Sequence, residues 1–265
     1  MTAAAVKGLA LGFDVVRPPS PGVAVLAYHR VGGGTALGVD LEPSLFADQM
    51  QHLAASCEVW SLDQTVERVT EPSGPPAVAV TFDDGTADFV DHALPALVAN
   101  DVPATYYIAT RYIEEQIDFP DAGTPMTWAA LAEAVSTGLV TIGSHTHSHA
   151  VMDKLTPEGA DEELRISIGL IEERLGVTVE HFAYPKGVFG GVAVEQAVAR
   201  HVRSAALAGG STNAFGHTDV FRLDRSPIQR ADGMRYFAAK VDGGLRLEGL
   251  LRDRLNSWRY GSATS

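Results

Sequence analysis

Ala77-Val78-Ala79-Val80-Thr81-Phe82-Asp83-Asp84-Gly85 is an apolar run, introduced by Pro75-Pro76, that ends on two acids and a glycine. A short run of this kind between turn signals predicts a strand buried on both faces, as in parallel sheets covered by helices. Similar runs recur on either side. Val23–Tyr28 lies between Pro21-Gly22 and Gly32-Gly33-Gly34, and Ala104–Ala109, Leu139–Ile142, Val177–Tyr184 and Ser204–Leu207 follow. Helical patterns separate them. Phe46, Met50 and Leu53 fit one helix face, and Phe89–Ala99 reads as a helix in which Pro95 marks a kink or a late start. Trp128–Val135, Ala193–Val198 and Leu245–Leu255 are also helical in pattern. The clearest helix has Thr156 as its cap, Pro157 in the first position, a Leu164, Ile168, Ile171, Leu175 seam, and Gly176 at its end. Strands alternating with helices build parallel βαβ units. The expected fold is α/β, a distorted (β/α) barrel of about seven parallel strands in a single domain, with a doubly wound open sheet as the alternative.

Composition narrows the field. A length of 265 residues suits one α/β barrel. A hydrophobic share of 46% with 20% charged residues is that of a globular protein and excludes a disordered chain. The 33 acidic and 20 basic residues leave a net charge of −13, which argues against nucleic acid as a partner. A single cysteine, Cys57, excludes an internal disulfide and a cysteine-only zinc site, and is expected as a small buried residue at a helix end. No apolar run reaches the roughly 20 residues of a membrane span. Lys7, Asp14 and Arg17 interrupt the apolar stretches of Met1–Pro19, so no signal-peptide pattern emerges. Residues 1–21 are therefore read as a leader, residues 22–265 as the barrel domain, and the location as cytoplasmic. The oligomeric state leaves no trace in the sequence.

Four polar clusters fall at predicted strand ends, where barrels place their active sites. Asp83 and Asp84 would repel each other unless a cation holds them. One can ligate a metal while the other stays free as a base, or one can simply cap the next helix. His145 and His149, in Ser144-His145-Thr146-His147-Ser148-His149, are four residues apart. A helical turn there would bring both imidazoles to one side, where two histidines and a carboxylate form a catalytic metal set, while His147 would point elsewhere. His29, in Tyr28-His29-Arg30, is a candidate acid or base. The turn Phe182-Ala183-Tyr184-Pro185-Lys186-Gly187 could present a backbone N–H as an oxyanion donor. The segment Glu114–Thr127, with Pro120 and Pro125, is expected as a rim loop or lid. Tyr112, Phe119 and Trp128 near it are either groove aromatics or core.

Thr81-Phe82-Asp83-Asp84-Gly85 and His145-Thr146-x-x-His149 together resemble the first two motifs of the polysaccharide deacetylases of carbohydrate esterase family 4, the NodB homology family. The likeness runs from about Val23 to Pro227. It implies a distorted barrel, a divalent metal, most often zinc, and removal of N-acetyl groups from amino sugars with release of acetate. By the same resemblance Asp83 is the catalytic base, and Asp84, His145 and His149 are the metal ligands. The third family motif, Arg-x-Pro-Tyr/Phe, is altered: Ala183 replaces its arginine and Lys186 its aromatic residue. Lys186 then supplies the oxyanion donor through its backbone only, and Arg225, from a later strand, is the candidate to replace the arginine that orients the base. The late Leu-x-His motif is absent after Leu223. Tyr28-His29-Arg30-Val31 and the Phe-Ala-Tyr-Pro turn instead resemble a permuted branch that includes poly-β-1,6-N-acetylglucosamine deacetylases, which makes His29 the general acid. The implied substrate is a carbohydrate carrying N-acetyl groups, as polymer, oligomer or sugar-bearing intermediate. Hydrolysis of another amide on the same fold, a cyclic imide or ureide, and a non-catalytic sugar-binding role are the alternatives.

Overall fold

The computed structural model describes residues 3–16, 18–251 and 254. Among these, seven parallel strands form the wall: β1 (Gly22–Tyr28), β2 (Ala77–Phe82), β3 (Ala104–Ile108), β4 (Val140–Ser144), β5 (His181–Ala183), β6 (Ser204–Ala206) and β7 (Arg225–Pro227). The first six pair in chain order. The seventh pairs in parallel with β1, through Val25↔Arg225 and Ala27↔Pro227, and Leu223 just before it bridges Ala206 of β6. The sheet thus curls into a distorted barrel rather than a doubly wound open sheet. Its weakest seam lies between β4 and β5, which share one register pair, Ser144↔Phe182. Asn213–Ala214 adds a short antiparallel stretch beside the start of β1.

The alternation within β1 and β2 explains the layering. Leu26, Tyr28, Val78, Val80 and Phe82 pack outward against α2 (Pro43–Ser56) and α4 (Leu94–Asn100). Val23, Val25, Ala77 and Ala79 face the other way, onto Val69 and Phe215. Tyr28, Phe46, Phe82, Phe89 and Tyr106 form a chain of ring contacts under the helices, with Phe89 stacked 4.3 Å from Tyr106. Successive strand residues point to opposite faces, so Thr81 and then Asp83 fall on the inner side.

Other helices are α1 (Ala3–Val16), α3 (Leu62–Arg68), α5 (Thr110–Glu115), α6 (Trp128–Ser136), α7 (Pro157–Leu175), α8 (Val192–Val198) and α9 (Gly233–Val241). α7 begins and ends as its sequence predicts: the Thr156 hydroxyl accepts from the Gly159 N–H, and Gly176 sits at φ 66°. Pro95 gives a late start: a π-turn over Phe89–Ala93 precedes the regular helix from Leu94, because proline cannot donate the bond that an α-turn would require there.

Some boundaries differ from expectation. Only His181–Ala183 of the 177–184 run is strand. α5 takes up Glu114 and Glu115, so the long loop begins at Gln116. Cys57 follows α2 but is half-buried. Residues 246–251 and 254 are helical, and Leu255 lies outside the described residues. Within the segment read as a leader, Lys7 of α1 is buried and pairs with Asp232 and Glu248. Among the described residues, no helix is long and apolar enough to cross a membrane.

Candidate active site

At the C-terminal end of β2 the chain enters a left-handed turn, with Asp84 at φ 78° and Gly85 at φ 115°. A non-glycine residue there costs on the order of 1–2 kcal/mol, least for Asp and Asn. The turn is fixed from three sides. The Asp83 N–H donates to the Tyr28 carbonyl, the Ala109 N–H to Asp84, and the Met126 N–H to Gly85, at 3.0, 2.8 and 2.9 Å. A side chain at Gly85 would press on Ile113 at 3.0 Å. The two carboxylates therefore diverge.

Asp84 faces His145 and His149. Its Oδ1 lies 3.3 Å from His149 Nε2 and 3.8 Å from His145 Nε2. One ligand atom from each of the three residues falls within 4.8 Å of the others, a spread that suits a shared metal ion. The proton on His145 can be placed. Its Nδ1 lies 2.8 Å from the Ala183 carbonyl, which only accepts, so Nδ1 carries the hydrogen and Nε2 offers its lone pair to the cluster. Burial lowers the His145 pKa to about 4, so the ring is neutral, as a ligand must be. Burial works against the charged form of Asp84, but the hydrogen bond from His149 and the surrounding imidazoles outweigh it and hold its pKa below the ordinary range. Two imidazole nitrogens and a carboxylate oxygen fit zinc or a similar divalent ion.

Asp83 turns to a different partner. The Arg225 guanidinium grips it in a fork, Nη1 to Oδ1 at 2.6 Å and Nη2 to Oδ2 at 2.8 Å. Arg225 also donates to Thr81 Oγ1 and to the Leu207 carbonyl, and lies 5.2 Å from the Tyr107 ring centre. Asp83 and Arg225 are 3% and 2% exposed, so each would be a costly lone charge without the other. Desolvation raises the pKa of Asp83, but the charge and the hydrogen bonds of Arg225 bring it below that of an ordinary carboxyl.

His29, just after β1, places Nε2 3.9 Å from Asp83 Oδ2. Its side chain is 28% exposed, while its Nδ1 is buried without a hydrogen bond. Lys186 is exposed and lies in the sharp turn directly after β5, at φ 61°. The structure thus gathers Asp83, Arg225 and His29 beside Asp84, His145 and His149, and puts Lys186 in a turn at the same end of the barrel.

The histidine loop is not the helical turn expected from the four-residue spacing. Thr146 and His149 both lie in the left-handed region, at φ 66° and 60°, and the His145 and His149 rings stand 5.0 Å apart. His147 does point away and meets Thr110 Oγ1 at 2.9 Å. Sequence reasoning missed Glu163 of α7, whose carboxylate accepts from the His147 and Ser148 N–H groups and the Ser148 hydroxyl. The one available signal was an acid next to the apolar seam residue Leu164.

The segment after α5 is tied down. Arg30 donates to the Pro120 and Asp121 carbonyls, both at 2.7 Å, the Ala87 N–H donates to Thr124, and Thr86 bridges Pro125. Phe119 is buried and stacked 4.1 Å from Tyr112. Tyr112 and Trp128 are half-buried.

A family model described as polysaccharide deacetylase matches residues 70–205, just over half of the chain. The match holds Asp83, Asp84, His145 and His149, whereas His29 and Arg225 lie outside it. The fold is similar to that of the Streptococcus pyogenes deacetylase PplD in complex with acetate, with a TM-score of 0.71 and 20% identity, covering 84% of this chain and 99% of that one. It is equally similar to IcaB from Ammonifex degensii, with a TM-score of 0.71 and 20% identity over 84% of this chain and 98% of that one. In sequence, 102 residues are 26% identical to the uncharacterized protein YlxY of Bacillus subtilis (strain 168); they make up 38% of this chain and 28% of that protein.

Proposed function

The chain belongs to the polysaccharide deacetylase family, and from that premise we propose that it hydrolyses the N-acetyl amide of an amino sugar in a carbohydrate substrate, releasing acetate. Asp84, His145 and His149 would hold a divalent ion, and zinc suits their donor set best. Such an ion supplies Lewis-acid polarisation of the acetyl carbonyl and acidifies a water in the site. The observation that carries the reading is the division of labour between adjacent acids: Asp84 joins two histidines, while Asp83 is turned onto Arg225.

Asp83 acts as the base. Arg225 keeps it ionised and fixes its plane, and each carboxylate oxygen retains a lone pair to accept a proton from the attacking water. His29 acts as the acid. An amine leaves poorly unless protonated, and His29 stands next to Asp83 with part of its ring open to solvent, so it can deliver a proton to the departing nitrogen. The Lys186 backbone N–H serves as the oxyanion donor in this scheme, which follows from the family motif and from the turn that ends β5. Arg225 takes over, from β7, the orienting role that Ala183 cannot perform from β5.

The test is acetate release from a panel of acetylated amino sugars, from monosaccharide conjugates to chito-oligomers, with metal-stripped and zinc-restored protein. Zinc-dependent acetate is expected. Protein that binds zinc yet releases no acetate from any substrate would overturn the reading in favour of another amide or a binding role.

A further inference from the structure

We propose that Glu163 is a positioning residue for the metal site, setting the place of His149 through the loop that carries it. This rests on the reading that Asp84, His145 and His149 hold a divalent ion.

The two histidines are held by different means. His145 directly follows β4, and its ring is locked by the bond from Nδ1 to the Ala183 carbonyl. Among the described residues, no side chain or carbonyl orients the second ring nitrogen of His149, so its position depends on its backbone. That backbone is unusual, since Thr146 and His149 are both left-handed without being glycine. Such a path persists only where its surroundings over-determine it.

Glu163 provides the largest part of that restraint. Its Oε2 takes the consecutive N–H groups of His147 and Ser148 at 2.9 and 2.8 Å, and its Oε1 takes the Ser148 hydroxyl at 2.7 Å. Successive N–H groups converging on one oxygen form a concave anion site, which a carboxylate fills better than water or an amide. Smaller ties support the rest of the loop: Ala150 N–H to Thr146 Oγ1, Arg111 N–H to the His147 carbonyl, and Ser144 Oγ to Ser167 Oγ, another α7 residue. α7 is capped at both ends, so Glu163 sits on a rigid element. The loop is therefore anchored to α7 between its two ligands, and His149 is the one that loses its place when the anchor goes.

The experiment measures zinc affinity by competition with a chromophoric chelator, on the full chain, for wild type, Glu163→Gln, Glu163→Ala and His149→Ala. Outer partners of metal ligands typically change affinity by about 10–100-fold. Glu163→Ala is expected in that range, short of His149→Ala, with an altered visible spectrum of the cobalt(II)-loaded protein and a smaller zinc-induced rise in Tm. Glu163→Gln keeps an oxygen for the two N–H groups but not the charge, and should lose a smaller yet measurable factor, on the order of 3–10-fold. Wild-type zinc affinity and an unchanged cobalt spectrum in folded Glu163→Ala would overturn the proposal, as would the same result in Glu163→Gln if Glu163→Ala does not fold. A wild type that binds no zinc would instead overturn the metal reading beneath it.

Discussion

Adjacent acids on a strand end point to opposite sides, and at Asp83 and Asp84 the left-handed turn widens that divergence into two environments. The separation can be tested one residue at a time. Asp83→Asn removes the base while leaving the three-ligand cluster intact, so zinc content should be retained while acetate release falls by about 10²–10⁴-fold. Asp84→Ala should lose the zinc itself, as measured by metal analysis after dialysis. Arg225→Met leaves Asp83 buried without its partner, a change of the kind that costs roughly 3–5 kcal/mol, visible as a lowered urea midpoint together with lost turnover. The acids and histidines were legible because their residue types and spacing form motifs. Glu163 was not, because its contacts span 15 and 16 positions and follow no motif.

Elements were legible where local chemistry alone sets them. Thr156, Pro157 and Gly176 bound α7 as their types dictate, and the apolar runs of β1 and β2 could only be buried strands. The 177–184 run shows the limit. Its residues favour a strand throughout, yet a ladder forms only over His181–Ala183, because pairing needs a neighbour in register and β4 meets β5 at one residue pair. Gly143 of β4 sits between the neighbours on either side. A methyl there would meet the Tyr107 ring at 2.5 Å and the His181 carbonyl at 2.9 Å. Gly143→Ala should therefore destabilise the fold by about 1–3 kcal/mol, measured by denaturant unfolding, since overpacking cannot relax against backbone.

Across the whole molecule, contacts distant in sequence decide what the motifs cannot. At the start of β5, the buried His181 joins Ser204 of β6 to Asp63 of α3. The hydrogen bond from His181, aided by Arg203, lowers the Asp63 pKa from 3.8 to about 2. A depressed carboxyl stabilises the fold above its unfolded pKa and loses that contribution as the pH falls through the folded one. Asp63→Asn should thus weaken the protein at neutral pH, with the gap to wild type in urea midpoint closing between pH of about 4 and about 2. The site shows the same dependence on distance. His29 and Arg225 lie 54 and 142 positions from Asp83 and reach it only because β1 and β7 both flank the barrel wall beside β2 or close it. The sequence by itself determined the alternating α/β pattern, the strand-end acids and histidines and the family, since local burial patterns and short motifs are properties of neighbouring residues. Only the tertiary structure decided that Arg225 grips Asp83 where Ala183 cannot, that the histidine loop is left-handed rather than helical, and that α7 anchors it. Barrel closure sets the first of these and the packing of α7 the others, through contacts between residues whose separation along the chain carries no local signal.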